Sequence, residues 1–309
     1  MAVTTSIYKK SKIILNTPMY NFSNENEFPL LFQTAIIDLR LQEAFSQKHI
    51  KGSFNILTSD IESRMHELPE SRKPVSIVGS KNSINLVTDF LASKGYSIKF
   101  KIDFNEFYRD YKNNLDWFES GEMINRLWQP SSVLQTFLKM NHGLVQPKGI
   151  DLACGAGRDS VMMTLNGWQM VAVDYMDSAL DRAKNLAKNN QCELETIQLD
   201  LEKKELSDDI NPFPLEWLGF FDLVIIARYL HRPLLKHLHS LLRPNGFIVY
   251  QTFMLGCEKF GSPKNPRYLL RDGELADFFP TYKILHDKVE LLSDGRPTNA
   301  FIAQKPASL

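Results

Sequence analysis

The chain has 309 residues, and its 36 lysine and arginine residues balance 36 aspartate and glutamate residues, so the formal net charge is zero. Hydrophobic residues make up 43% and charged residues 23% of the chain, which is the composition of an ordinary globular protein. A neutral chain lacks the basic excess typical of nucleic-acid-binding proteins, and no apolar run approaches the roughly 20 residues that cross a bilayer.

The length predicts two domains. Residues 1–15 lack the apolar core and cleavage site of a signal peptide. The three cysteines, Cys154, Cys192 and Cys257, have neither disulfide nor metal-ligand spacing. These features predict a cytoplasmic protein with no metal site.

Residues 34–55 predict a strand over 35–39, a helix, and a turn at Gly52. A buried strand over 74–78 and a helix over 84–94 follow. The run 37–40 (IDLR), with Phe45, His49 and Asn55, resembles the rhodanese domain. The resemblance implies a rhodanese-like α/β domain over residues 1–118.

In rhodaneses the loop after the second of these strands carries a catalytic cysteine. Here residues 79–83 read GSKNS, the cysteine position is Gly79, and residues 1–153 contain no cysteine. Because a persulfide needs a thiolate, we predict that this domain has no sulfurtransferase activity. Partner docking, homodimer formation, a role in shaping the neighbouring active site and a plain spacer role remain open.

Residues 119–148 connect this domain to a second one, over 119–309. Pro130 followed by two serines predicts a helix start. In the enzyme class that the next paragraphs identify by resemblance, segments at this place often fold over the cofactor as a lid. Trp128 is therefore a candidate substrate contact, and packing at a domain interface is the alternative.

Residues 149–174 predict a strand, a glycine turn, a helix and a second strand, which is the opening unit of a nucleotide-binding sheet. Ser160 stands where a dinucleotide fingerprint has its third glycine, which weakens an NAD assignment. No Gly-Lys-Ser/Thr follows, so a P-loop is excluded.

The run Asp151-Leu-Ala-Cys-Gly-Ala-Gly157 instead resembles motif I of class I S-adenosylmethionine-dependent methyltransferases. The later landmarks of that family follow in order, with strands predicted over 221–227 and 242–250 and a final antiparallel hairpin. The resemblance implies an α/β, Rossmann-like, seven-stranded domain with S-adenosylmethionine as cofactor. The cofactor contacts that it implies are Asp151, Ala153, Gly155, Gly157, Asp174, Tyr175, Asp200, Leu201 and Ala227.

Methyltransferases that act on base amines carry Asp/Asn-Pro-Pro-Tyr/Phe after the fourth strand, whereas this chain has Ala-Arg-Tyr-Leu, which disfavours that acceptor. Arg228 is a candidate for binding an anionic substrate, or it pairs with a buried acid. His231 is a candidate general base, or it caps a helix. A turn-rich loop over 251–271 predicts a lid. Further candidate substrate contacts are Tyr229, Phe253 and Arg267.

Residues 157–159 (GRD) and 269–279 are similar to the tellurite-resistance type of methyltransferase, which acts on small chalcogen nucleophiles. We therefore expect a small-molecule substrate, such as a thiol or chalcogen anion. An RNA or protein methyltransferase is an alternative, supported by a basic helix predicted over 232–243. A non-catalytic, cofactor-binding scaffold is the third option.

Overall fold

The computed structural model describes residues 28–122, 125–140, 143–202 and 211–307. The chain divides into two compact units, one within Met1–Ser59 and Ser71–Asn125 and the other formed by Asp60–Glu70 and Arg126–Leu309. Segment Asp60–Glu70 lies inside the rhodanese-like stretch of the sequence but groups with the second unit. Nothing in the sequence indicated this excursion.

The first unit is built on a four-stranded parallel sheet of order β3-β1-β4-β5, beside a two-stranded antiparallel pair of β2 and β6. Its elements are α1 (Phe28–Leu31), β1 (Ala35–Asp38), α2 (Gln42–Gln47), β2 (His49–Ile50), β3 (Phe54–Asn55), β4 (Val75–Gly79), α3 (Lys81–Ser93), β5 (Ile98–Asp103), α4 (Phe104–Tyr111) and β6 (Phe118–Glu119).

Strand β4 forms as predicted because its run of apolar residues is buried on both faces, as a strand of a parallel sheet requires. Helix α3 buries Ile84, Val87 and Leu91, whose spacing places them on one face. The predicted loop over residues 79–83 is wrong: β4 runs through Gly79, and α3 begins at Lys81. Ser80 alone separates the strand from the helix. Its hydroxyl accepts a hydrogen bond from the amide of Ser83, and this cap lets the helix begin directly after the strand.

The second unit is built on a seven-stranded sheet of order β12-β13-β11-β10-β7-β8-β9, in which β13 runs antiparallel to both of its neighbours. Its elements are α5 (Ser132–Leu138), β7 (Lys148–Leu152), α6 (Arg158–Leu165), β8 (Gln169–Asp174), α7 (Asp177–Asn189), β9 (Glu195–Gln198), β10 (Phe221–Ala227), α8 (Arg232–Leu235), α9 (Leu238–Leu241), β11 (Leu242–Phe253), α10 (Glu274–Phe278), β12 (Lys283–Leu291) and β13 (Pro297–Gln304). The predicted Rossmann-like, seven-stranded architecture is confirmed.

The order of these strands fixes where a ligand can enter. Strand β7 pairs with β8 on one side and with β10 on the other, so the chain winds outward in both directions from β7. In such sheets a crevice opens beyond the carboxyl ends of the two central strands. We therefore expect the site where β7 and β10 end.

The basic helix predicted over residues 232–243 is wrong. The segment forms two helices of four residues each, and Arg243 belongs to β11. Arg232 donates from Nε to Glu274 at 2.5 Å, and His237 is buried. Arg232 is thus paired with an acid, His237 is buried and Arg243 lies in a strand, so these described residues do not share one basic helix face. Among the described residues no helix is long and apolar enough to cross a membrane.

Candidate functional site

The turn after β7 combines left-handed backbone with open space. Ala153, Gly155 and Gly157 have φ values of 58°, 57° and 74°. A Cβ atom added to Gly155 would meet nothing within 4 Å, whereas one on Gly157 would lie 2.6 Å from Ala183 Cβ on α7. Gly155 therefore leaves room for a ligand, and Gly157 lets α7 pack closely behind the turn.

Asp174, at the end of β8, joins this turn to the neighbouring strand. Its side chain is 7% exposed. Oδ2 accepts a hydrogen bond from the Gly155 amide at 2.9 Å, and Oδ1 accepts one from the Met176 amide at 3.0 Å. Each carboxylate oxygen has a second lone pair, so the group can also accept hydrogen bonds from the hydroxyls of a ribose.

Two buried carboxyl groups lie under the turn. Asp151 Oδ2 accepts a hydrogen bond from the Ser160 hydroxyl at 2.6 Å, and Asp159 Oδ1 accepts one from the Ser131 amide at 2.7 Å. Burial raises the pKa of both side chains, and the charge of Asp159 raises the pKa of Asp151 further. The pair is therefore held in surroundings that disfavour two negative charges.

The same region leaves two polar groups unsatisfied. Asp159 Oδ2 and Ser131 Oγ are buried and have no hydrogen-bond partner among the described residues. Such atoms carry a desolvation cost that a polar ligand would offset. Together with the open space at Gly155 and the carboxylate of Asp174, they fit the polar amino-acid end and the ribose of S-adenosylmethionine.

A cavity of about 310 Å³ opens at the carboxyl ends of β10 and β11. Residues of these two strands and their extensions form one side, and the loop after β11, predicted as a lid, supplies the other. The cavity is lined by Arg228, Tyr229, Leu230, Thr252, Phe253, Ser262, Pro263 and Tyr268. Its wall is largely aromatic and aliphatic with one guanidinium group.

Arg228 carries the charge of this cavity. Its backbone has a φ of 60°, a conformation that non-glycine residues rarely adopt, and its amide donates to the Gln251 carbonyl at 2.7 Å. The residue as a whole is exposed, but partial burial of its guanidinium lowers the pKa of Arg228, and the positive charge of Arg158 lowers it further. Burial raises the pKa of Tyr229, so this neighbouring phenol stays neutral. Arg228 can therefore meet an anionic ligand inside the cavity.

Three of the predicted substrate-site residues lie elsewhere. His231 is outside the described lining, and its Nδ1 lies 4.0 Å from Glu202 Oε2. Trp128 is 1% exposed and packs against Val161 in the core, so its buried side chain anchors the segment before α5 and does not face the cavity. Arg267 is exposed, and its guanidinium lies 5.1 Å from the centre of the Tyr268 ring.

The remaining predicted cofactor residues surround the ends of β8, β9 and β10. Tyr175 is exposed directly after Asp174, and Ala227 ends β10 half-buried. Asp200 is exposed and accepts a hydrogen bond from the Glu202 amide at 2.9 Å, while Leu201 is buried in the core. Their contact with a cofactor stays a prediction.

Sequence reasoning missed several residues of the site. Asp159 and Ser131 face one another across 28 positions of sequence, and Ser262 and Pro263 form a cavity wall from a distant loop. Asp159 belongs to the GRD run that resembles the tellurite-resistance type, but an acidic residue in the first turn is common on any helix, so that run assigned Asp159 no role in the site.

Comparison with known families places both domains. Residues 150–246 match the family model for a methyltransferase domain, and residues 25–104 match that for a rhodanese-like domain. The methyltransferase match lies in the second unit, and the rhodanese-like match lies in the first unit except for residues 60–70, which group with the second. The prediction of a rhodanese-like domain followed by a methyltransferase domain is confirmed.

Individual relatives are more distant. The chain is 26% identical to the uncharacterized protein UNK4.09 of Schizosaccharomyces pombe, over 87% of this chain and 93% of that protein. TehB from Haemophilus influenzae has 15% identity and a TM-score of 0.45, over 57% of this chain and 62% of that one. A SAM-dependent methyltransferase from Aquifex aeolicus has 14% identity and a TM-score of 0.42, over 55% and 88%. Such identities transfer no substrate to this chain.

Proposed function

We propose that this chain, an S-adenosylmethionine-dependent methyltransferase that also carries a rhodanese-like domain, methylates a small anionic nucleophile, a thiolate or a related chalcogen anion. The observation that carries the proposal is the composition of the cavity: Arg228 lines it, whereas His231 lies outside the described lining. A cation inside the cavity favours an acceptor that is already negatively charged. Such an acceptor needs no general base.

The dimensions of the cavity support a small acceptor. About 310 Å³ lies at the lower end of the range for pockets that bind small molecules. Phe253 and Tyr268 form apolar walls that keep water from the reacting atoms. The free cysteines support a reducing compartment such as the cytoplasm, in which thiols stay reduced.

Methyl transfer to a thiolate requires the alignment of the acceptor sulfur with the methyl group, and it requires no proton transfer by the protein. S-adenosylmethionine supplies a methyl group bonded to a positively charged sulfur. The thiol proton is lost to solvent beforehand; the thiolate sulfur then bonds to the methyl carbon as that carbon's bond to the cofactor sulfur breaks, leaving a neutral thioether. In this proposal Gly155 and Asp174 hold the cofactor, and Arg228 orients the acceptor.

The rhodanese-like unit takes no part in sulfur transfer in this proposal. A Cβ atom on Gly79 would lie 3.2 Å from Leu39 Cβ, and only Ser80 separates β4 from α3. The position that carries the thiol in a rhodanese is therefore crowded here. The single-residue turn between β4 and α3 is too short to surround a persulfide.

The test uses two thiols as methyl acceptors, thioglycolate and 2-mercaptoethanol, both of which react as thiolates. We expect Arg228→Gln to raise KM about tenfold for both, because a charge-assisted hydrogen bond to the thiolate is lost. Arg271→Gln is the matched control, since that side chain is 74% exposed and outside the described lining.

His231→Ala completes this test. We expect it to methylate both thiols at the wild-type rate, because a thiolate needs no base. A large loss of kcat would indicate a neutral acceptor. If the wild-type protein methylates neither thiol although it binds the cofactor, the proposal is wrong, and a macromolecular acceptor or a scaffold role takes its place.

A further inference from the structure

A segment of the rhodanese-like stretch belongs to the methyltransferase unit, and the proposed function does not account for it. We call residues Asp60–Glu70 the strap. The chain leaves the first unit after Ser59, passes through the second unit, and returns to the first unit at Ser71. Within the strap Ile61 and Leu68 are buried, and Met65–Glu67 form a 3₁₀ turn. The strap is therefore packed into the second unit.

Glu67 fastens the middle of the strap to α7. Its side chain is 1% exposed. Arg64 donates from Nε to Oε1 at 2.6 Å and from Nη2 to Oε2 at 2.7 Å, and Asn189 donates from Nδ2 to Oε1 at 3.2 Å. A buried carboxylate needs such partners to offset its desolvation. The Asn189 contact ties the strap to the last residue of α7.

Helix α7 in turn supports the cofactor turn. It begins at Asp177, three residues after Asp174, and Ala183 in its middle packs directly against Gly157. A displacement of α7 would therefore reach both the glycine turn and the carboxylate that holds it. The contact between Glu67 and Asn189 therefore acts on the cofactor site indirectly, through α7.

We infer that the strap is a positioning element of the methyltransferase: it holds α7 behind the glycine turn through the hydrogen bond between Glu67 and Asn189. The rhodanese-like stretch of the sequence thereby contributes to the reaction through packing, without sulfur chemistry. This contact, which we call the latch, depends only on the methyltransferase domain and its cofactor.

The latch is tested in the full chain by hydrogen exchange of residues 60–70, with and without S-adenosylhomocysteine. In the wild-type protein we expect S-adenosylhomocysteine to slow exchange of the strap. Asn189→Ala should speed that exchange several-fold and weaken S-adenosylhomocysteine binding about threefold to tenfold, the effect of one lost hydrogen bond. Asn185→Ala, the same substitution at an exposed position of the same helix, is the control.

Unchanged exchange of the strap on addition of S-adenosylhomocysteine, or equal behaviour of the two asparagine variants, would overturn the latch. Because this measurement needs no methyl acceptor, its result is independent of whether thiols are methylated. A failure of the proposed function and a failure of the latch are thus seen separately.

Discussion

Each of the two larger sheets has a glycine where a buried strand leads into a helix, but of these two described turns only the one after β7 has room for a ligand. After β7, residues 153–157 form a turn with three left-handed positions, and the space at Gly155 is open. After β4, the single residue Ser80 leads into α3, and the space at Gly79 is filled by Leu39. The same strand–helix architecture therefore makes a site only where the turn is long enough to leave space.

The buried carboxylates at the ends of the neighbouring strands differ in the same way. Asp38 at the end of β1 is fully buried and is neutralised by Arg40, whose Nη2 lies 2.6 Å from Oδ2. Asp174 at the end of β8 accepts two backbone amides. An internal ion pair satisfies Asp38 within the fold, whereas Asp174 keeps acceptor capacity for a ligand.

The largest expected effect follows from that difference. Asp174→Ala should weaken S-adenosylmethionine binding about a hundredfold, because hydrogen bonds to a charged acceptor are lost and the Gly155 amide loses its partner. Calorimetric titration measures the change in Kd, with Asp181→Ala on the exposed face of α7 as control. Equal affinity of the two variants would place the cofactor away from this turn.

The two glycines provide a comparison of stability. Gly157→Ala should reduce the free energy of unfolding of the second unit by about 2 kcal/mol, because the residue is left-handed and its Cβ atom would lie 2.6 Å from Ala183 Cβ. Gly79→Ala should cost the first unit less than about 1 kcal/mol, because Leu39 need only shift slightly. Hydrogen exchange of α7 and α3 reports each unit separately. A larger cost at Gly79 would reverse this ranking.

The buried acids beneath the β7 turn predict a pH dependence of smaller size. Burial raises the pKa of Asp151 above its unfolded value of about 3.9, so the folded unit favours the protonated form. Its contribution to stability is complete below that unfolded value and is lost as the pH rises toward the folded pKa. Asp151→Asn should therefore stabilise the second unit by about 1 kcal/mol at pH 7 and by almost nothing near pH 4.

Thermal unfolding between pH 4 and pH 8 measures that difference, and the exposed Asp181→Asn is the reference. A stabilisation of Asp151→Asn that grew as the pH fell would show that the carboxylate is favoured in the folded state. The surroundings of Asp151 and Asp159 would then not disfavour the charged carboxylates.

The sequence by itself determined the features that depend on local pattern. Glycines at 155 and 157 after a short apolar run, and an acid after the next run, are set by strand length and by the backbone freedom of glycine. These positions predicted the glycine turn and the Rossmann-like architecture of the second unit. The absence of a cysteine at Gly79 needed no structure, since a thiol cannot be supplied by any other residue type.

Only the tertiary structure decided which of the polar and aromatic residues share a site. Trp128 and the basic residues of 232–243 are residue types that are common in binding sites. In the structure, however, Trp128 is buried, and the basic residues belong to two short helices and a strand. The sequence did not predict the contacts of Asp159 or of the strap, because Ser131 lies 28 positions from Asp159 and Asn189 lies 122 positions from Glu67. Contacts over such distances arise from the packing of the whole unit, and a local pattern does not record them.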